Sequence, residues 1–235
     1  SYFQKVKTYT HIFFDLDRTL WDYESNANEA LNVLIEKYSL RNRGIEDPAL
    51  FIKEYNKIND FLWMEYGHDR ITKEELRSQR FHLAFLKFNL NDYSTAQLLS
   101  EDFTVLACQN THLMPGTEKV LNYLKPKYPI HLITNGFEET QKIKLHHSRI
   151  GHYFKSMISS ERAKSKKPSK EIFEFAFKDS GADPATSLMI GDHYELDALA
   201  AMKTGMDAVY YSPGKPDGDK ATYTISHLEE LLKIL

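Results

Sequence analysis

With 235 residues the chain is long enough for one large domain or for a core domain with an insertion, and its 42% hydrophobic and 27% charged residues exclude a disordered chain. The net charge of -3 gives no electrostatic reason to expect a nucleic-acid polymer as a partner. The single cysteine, Cys108, and the lack of any apolar run of roughly 18 residues predict a soluble, cytoplasmic protein without a membrane partner.

The first predicted element is a buried strand at residues 9–15. Apolar residues at helical spacing then predict helices at 23–38, 48–66, 72–88 and 94–109. Thr72 and Glu75 have the spacing of a capping box at the start of the third helix. We therefore expect the block from residue 21 to residue 112 to be entirely helical.

After residue 112 the pattern changes to alternating strands and helices. Strands are predicted at 129–136, 153–160, 187–192, 207–212 and 222–226. Helices are predicted at 117–125, 138–148 and 170–179, in a segment ending near residue 204, and as an amphipathic helix at 227–235. This alternation indicates βα units and a mainly parallel sheet. The predicted fold class is α/β: residues 1–20 and 113–235 form a Rossmann-like parallel-sheet core, and residues 21–112 form an inserted all-helical cap domain.

Polar residues that are capable of chemistry lie at the ends of several predicted strands or between them. In open parallel sheets, ligands bind at the carboxyl ends of the strands, so we expect these side chains to converge. They are Asp15, Asp17, Thr134, Asn135, Lys167, Asp192 and Asp197.

Four carboxylates in one pocket repel one another, and a divalent cation relieves that repulsion. Mg²⁺ prefers hard oxygen ligands, and a lysine adds a second positive charge. Together with a small hydroxyl residue, these groups suit a phosphoryl group. One carboxylate can act as the nucleophile, and a second can protonate the leaving oxygen and then activate water.

Four motifs occur in the order DLDRT (residues 15–19), ITNG (133–136), KKP (166–168) and GDHYELD (191–197). In this order they resemble the haloacid dehalogenase-like (HAD) hydrolase superfamily, over residues 11 to about 212. The resemblance implies that Asp15 is the nucleophile and a metal ligand. It implies that Asp17 is the general acid/base, with its backbone carbonyl on Mg²⁺, and that Thr19 shapes the turn. At Arg18 many members carry Gly or Asp; we expect this side chain to point away from the site.

The same resemblance assigns roles to the later motifs. Thr134 and the backbone amide of Asn135 would hold the phosphoryl oxygens. Lys167 would neutralise Asp15 and the phosphate. Asp192 would be a Mg²⁺ ligand, and Asp197 would support the metal site, through water or through Lys167.

Within the superfamily, the acid/base Asp17 favours a phosphatase or phosphotransferase over a haloacid dehalogenase. The segments DLDRTLWDYE and ITNGFEETQKIKL resemble the pyrimidine 5'-nucleotidase group, which implies hydrolysis of nucleoside 5'-monophosphates. Trp21, Tyr23 and Phe137 flank the first two motifs and are candidates for lining the substrate pocket, where Trp21 or Phe137 could stack on a base.

Several alternatives remain open. A sugar phosphatase, a phosphoglycolate-type phosphatase and a hexose-phosphate mutase share the core motifs. A response-regulator receiver domain also combines Asp, Thr and Lys on a parallel sheet. It carries its acidic pair early and the accepting Asp on a later strand, and it has no large helical insertion, so the order of motifs argues against it. A non-catalytic binding protein on the same scaffold would commonly have lost Asp15, Asp17 or Lys167, and all three are present.

Overall fold

The computed structural model describes residues 7–214 and 220–235. It divides into two compact units. The core unit comprises the described residues up to Asp22 together with those from His112 onward, and the helical insert comprises Tyr23–Thr111.

The core unit contains a six-stranded sheet in the order β3-β2-β1-β4-β5-β6, with every neighbouring pair parallel. The first strand lies inside the sheet, where Ile12 pairs with Ile130 of β2 on one side and Leu188 of β4 on the other. The carboxyl ends of β2, β1 and β4 are therefore adjacent. The strands are β1 (His11–Phe14), β2 (Ile130–Thr134), β3 (Phe154–Ser159), β4 (Ser187–Gly191), β5 (Asp207–Tyr211) and β6 (Tyr223–Ile225).

Two helices of the helical insert begin at residues whose side chains cap the helix by hydrogen bonds. Asp47 caps the second helix by accepting a hydrogen bond from Leu50 N at 3.1 Å. The predicted capping box of Thr72 and Glu75 is present at the third. The helices are α1 (Tyr23–Lys37), α2 (Pro48–Gly67), α3 (Lys73–Lys87) and α4 (Tyr93–Gln109), with a short 3₁₀ helix at Leu40–Arg43. Phe103 packs edge to face against Tyr55 and Phe81 within their shared apolar core.

The remaining helices cover the sheet. Every residue of β2 and of β4 is buried, as expected of parallel strands that are covered on both faces. The helices are α5 (Thr117–Leu124), α6 (Glu138–His147), α7 (Ser160–Ala163), α8 (Lys170–Ser180) and α9 (Ala200–Lys203). The described residues include no helix that is both long enough and apolar enough to cross a bilayer. The predicted α/β class, a parallel-sheet core with an inserted helical domain, is confirmed.

Two predicted elements differ from the structure. The helix after β4 begins as a π-helix at Tyr194–Leu199 before α9. The chain ends in a 3₁₀ helix at Leu228–Lys233 rather than in an α-helix. Leu228 and Leu231 are its buried residues, and their three-residue spacing matches the 3₁₀ repeat.

The two ends of the insert leave the core unit side by side. Asp22 N donates to His112 O at 3.0 Å, and Trp21 forms an antiparallel bridge with Leu113. These pairings keep Trp21, Asp22 and His112 in the core unit, whereas the sequence-based boundary assigns them to the insert.

Candidate active site

The three adjacent strands β2, β1 and β4 each deliver one polar side chain to the same edge of the sheet. Thr134 is the last residue of β2, and Asp15 and Asp192 directly follow β1 and β4. Asp15 N donates to Ile190 O at 2.9 Å, which continues the hydrogen bonding of β1 with β4. The strand order thus brings the predicted motif residues together.

Lys167 lies between two of the predicted carboxylates. Its Nζ donates to Asp15 Oδ1 at 2.7 Å and to Asp197 Oδ1 at 2.6 Å. Burial alone would lower the pKa of Lys167, but the two carboxylates outweigh burial and raise it. The lysine is therefore a fixed positive charge beside Asp15, and it also joins Asp197 to the site.

The side chain of Asn135 holds the backbone of Lys167. Asn135 Nδ2 donates to Lys167 O at 2.9 Å, and Asn135 Oδ1 accepts from Lys167 N at 2.8 Å. The resemblance gives a role only to the backbone amide of Asn135. Its side chain has a further role, because this pair of hydrogen bonds fixes the loop between α7 and α8 against the end of β2.

Asp197 packs against a glycine. A Cβ at Gly191 would lie 2.3 Å from both Cγ and Oδ2 of Asp197, so only glycine leaves room for this carboxylate. Oδ2 of Asp197 accepts from His193 N at 3.0 Å, while Oδ1 is bound to Lys167. Asp197 is 1% exposed, and both of its oxygens are engaged.

An acidic cluster that fits a divalent cation surrounds Asp15. One carboxylate oxygen from each of Asp15, Asp192 and Asp197 lies within 4.8 Å of the others. Burial, and then the neighbouring carboxylates, raise the pKa of Asp192 to about 8. Burial also raises the pKa of Asp15 to about 6, although Lys167 opposes the shift. A cation bound by these hard oxygen donors would offset this repulsion, so Asp15 and Asp192 are the residues that could hold Mg²⁺.

Thr19 connects the loops after β1 and β4. Its fully buried hydroxyl accepts from Asp192 N at 3.1 Å and lies 3.1 Å from Asp192 Oδ1 and 3.3 Å from Asp15 Oδ2. The preceding residue, Arg18, has a left-handed φ of 66°, a conformation that glycine adopts most easily. The positive charge of Arg18 opposes the rise in the pKa of Asp192. The expectation that its side chain points away from the site stays a prediction.

Sequence reasoning missed two residues that hold Asp17, both on α6. Lys144 Nζ donates to Asp17 Oδ1 at 2.7 Å, and Gln141 Nε2 donates to Asp17 Oδ2 at 2.9 Å. Both oxygens of Asp17 are thus bound to one helix. The available signal is that Gln141 and Lys144 both lie in the ITNGFEETQKIKL segment, three residues apart and therefore on the same helical face.

The hydroxyl of Thr134 has an unusual hydrogen-bonding arrangement. It accepts from Gly136 N at 3.0 Å and from Gln141 Nε2 at 2.8 Å. A hydroxyl has two acceptor positions and one proton, so both acceptor positions are filled. The proton of the Thr134 hydroxyl has no acceptor within the part of the chain described here, which leaves it available to an anionic group.

Two of the three aromatic residues proposed for the substrate pocket are buried, whereas the proposal for Tyr23 stays a prediction. Trp21 is fully buried and Phe137 is 3% exposed, so neither ring offers an open face on which a base could stack. Trp21 instead lies under the Lys144 ammonium, 4.5 Å from its ring centroid. Tyr23 belongs to the helical insert, where its hydroxyl accepts from Asn59 Nδ2 at 2.9 Å.

Comparison with known proteins identifies the class to which this fold and site belong. A family model described as haloacid dehalogenase-like hydrolase matches residues 9–205. The chain belongs to this family. The resemblance drawn from the motifs is confirmed, and with it the prediction of a hydrolytic enzyme.

Individual relatives cover nearly the whole chain. Pyrimidine 5'-nucleotidase YjjG of Escherichia coli (strain K12) is 30% identical over 228 residues, 95% of this chain and 96% of the relative. Pyrimidine 5'-nucleotidase PynA of Streptococcus pneumoniae is 26% identical and covers 97% of this chain and 95% of its own. The crystal structure of the putative HAD-hydrolase YfnB from Bacillus subtilis bound to magnesium superposes with a TM-score of 0.88 at 26% identity, covering 97% of this chain and 99% of that one. These relatives agree with the prediction of a phosphoric monoester hydrolase.

Proposed function

We propose that the protein is a Mg²⁺-dependent phosphatase that hydrolyses small phosphomonoesters through an aspartyl-phosphate on Asp15. The observation that carries this proposal is the buried contact of Lys167 with Asp15 and Asp197, beside Asp192. A carboxylate held by a lysine beside a cluster of oxygen donors is suited to attack on phosphorus.

In the first step, a carboxylate oxygen of Asp15 attacks the phosphorus of the ester. A P–O bond forms to Asp15, the P–O bond to the leaving alcohol breaks, and Asp17 gives a proton to the leaving oxygen. Bound Mg²⁺ would supply positive charge that offsets the negative charge of Asp15, Asp192 and the phosphoryl group. Lys167 holds the Asp15 carboxylate in place through its hydrogen bond to Oδ1.

In the second step, Asp17 removes a proton from water as the water oxygen attacks the same phosphorus. The P–O bond to Asp15 breaks, the Asp15 carboxylate is restored and inorganic phosphate leaves. The free hydroxyl proton of Thr134 is suited to donate to a phosphoryl oxygen in both steps, and Lys167 adds positive charge beside it.

For the substrate, we infer a nucleoside 5'-monophosphate with a pyrimidine base. Two relatives support this inference: YjjG and PynA are both named pyrimidine 5'-nucleotidases, and each aligns with 95% or more of this chain. The buried positions of Trp21 and Phe137 mean that base recognition would depend on other groups.

The test is phosphate release from a panel of esters with Mg²⁺, run on wild type and on Asp15→Asn. The panel includes UMP, dUMP, dTMP, AMP, phosphoglycolate, several sugar phosphates and 4-nitrophenyl phosphate. We expect release by the wild type alone, fastest with the pyrimidine nucleotides. Faster release from phosphoglycolate or a sugar phosphate would overturn the substrate and keep the chemistry. Equal release by Asp15→Asn would overturn the chemistry.

A further inference from the structure

Helix α6 holds Asp17 at both of its oxygens. We propose that Lys144, together with Gln141, is a positioning residue that aims the Asp17 carboxyl for proton transfer to the leaving oxygen. This inference rests on the proposed function, because it assigns Lys144 and Gln141 a task in the same reaction.

The contacts of Lys144 indicate a built arrangement rather than a surface ion pair. The side chain of Lys144 is 10% exposed and that of Asp17 is 27% exposed. A buried lysine is uncommon unless it is paired, because its ammonium loses hydration. Here the ammonium lies over the Trp21 ring at 4.5 Å and donates to Asp17 at 2.7 Å. Lys144 is thus held from two sides with its charge on Asp17.

Gln141 connects Asp17 with the residue proposed to bind phosphate. Its Nε2 donates both to Asp17 Oδ2 at 2.9 Å and to Thr134 Oγ1 at 2.8 Å. A Cβ at Gly136 would lie 2.3 Å from that same nitrogen, so the chain leaves room for the amide. The position of Asp17 is consequently fixed relative to Thr134, at the end of β2.

The chemical consequence depends on the leaving group. An alkoxide needs a proton as the P–O bond breaks, so a misplaced Asp17 slows its departure. A nitrophenolate leaves as a stable anion and needs no proton. Loss of Lys144 should therefore slow formation of the aspartyl-phosphate from alkyl esters much more than from the nitrophenyl ester. A role in fold stability alone would slow both alike.

The experiment compares Lys144→Met with Lys142→Met, which removes a lysine that is 66% exposed on the same helix. We expect Lys144→Met to lower kcat/KM about 10- to 100-fold for the best alkyl ester of the panel, with little change in kcat/KM for 4-nitrophenyl phosphate. We compare kcat/KM because it reports the steps up to formation of the aspartyl-phosphate, whereas the second step, in which Asp17 also acts, is common to both esters. Asp17→Asn should show the same selectivity, Lys144→Arg should recover part of the loss, and Lys142→Met should resemble wild type. An equal loss of kcat/KM on both esters, or an unchanged kcat/KM on the alkyl ester, would overturn the proposal.

A second readout does not depend on turnover. In crystals of wild type and of Lys144→Met, we expect the Asp17 carboxyl to turn away from its wild-type position in the variant, while Asp15 and Lys167 stay in place. An unmoved Asp17 would contradict the positioning role. A wild type that releases no phosphate from any ester would instead overturn the proposed function, and the crystal comparison would still decide whether Lys144 positions Asp17.

Discussion

Replacing Gly191 by alanine should damage the site without touching a predicted catalytic group. The new Cβ would meet Cγ and Oδ2 of Asp197 at 2.3 Å and its Cβ at 2.5 Å. Ordinary contact begins near 3.4 Å, so Asp197 or the backbone of β4 would have to move by about 1 Å. Asp197 is 1% exposed and bound at both oxygens, so it cannot move without losing a partner.

The size of the effect follows from the partner that is lost. Moving Asp197 breaks its 2.6 Å contact with Lys167 Nζ and leaves two buried charges poorly paired. Removing one partner of a buried ion pair typically costs about 3–5 kcal/mol, and partial relaxation of Asp197 reduces this to about 2–4 kcal/mol. Because Lys167 also holds Asp15, we expect kcat/KM to fall at least about 100-fold.

Urea unfolding followed by circular dichroism gives the change in stability, and phosphate release gives kcat/KM. The matched control is Gly67→Ala, where an added Cβ would meet nothing within 4 Å. That variant should change stability by less than about 1 kcal/mol and keep full activity. If Gly191→Ala were as stable and as active as Gly67→Ala, the proposed packing of Asp197 against β4 would be wrong.

Three further outcomes are expected. Thr134→Val should lower kcat/KM about 100-fold, since it removes the hydroxyl proton that is available to a phosphoryl oxygen; an unchanged value would exclude that role. EDTA should stop phosphate release and Mg²⁺ should restore it, whereas Asp192→Asn should need far more Mg²⁺; metal-independent turnover would remove the ligand role of Asp192. Burial lowers the pKa of His131 from 6.5 to about 4, so the folded protein should lose up to about 3 kcal/mol of stability as the pH falls from 6.5 to 4. Urea titrations across that range should show this loss diminished in His131→Phe and retained in His147→Gln, a variant at an exposed position.

The sheet and the main motif residues could be predicted because each depends on local sequence. Apolar runs that end in Asp15, Thr134 or Asp192 mark both a buried strand and its carboxyl end. Their convergence then follows from the parallel order β2-β1-β4, which places the three ends side by side. The contact between Lys167 and Asp197 agrees with one of the two routes by which the sequence analysis expects Asp197 to support the site.

The residues around Asp17 could not be predicted in the same way. The buried positions of α6 are mostly polar: Thr140, Gln141, Lys144 and Leu145. A helix whose buried face is polar carries no apolar stripe, so its periodicity does not reveal which side faces the sheet. Trp21 is an aromatic residue beside the first motif, and this position predicts a place in a binding surface. Its ring is instead buried beneath Lys144.

The π-helix and the 3₁₀ helix at the chain end could not be predicted from the spacing of apolar residues either. Asp197 lies in the π-helix Tyr194–Leu199, and the apolar spacing of that segment is compatible with an ordinary α-helix. Asp197 contacts Gly191 and Lys167, which lie outside this segment, and such contacts cannot be predicted from local spacing. At the chain end, Glu230 Oε1 accepts from both Ser226 N and His227 N at 2.9 Å and begins a short 3₁₀ helix.

The central claim is that Asp15 receives the phosphoryl group. The direct measurement is mass spectrometry of enzyme quenched with acid during turnover of the best ester in the presence of Mg²⁺, followed by peptide mapping. We predict one added phosphoryl group per chain, located on Asp15, in the wild type and none in Asp15→Asn. A phosphoryl group on another residue, or active enzyme that carries none at any time during turnover, would contradict the proposed mechanism.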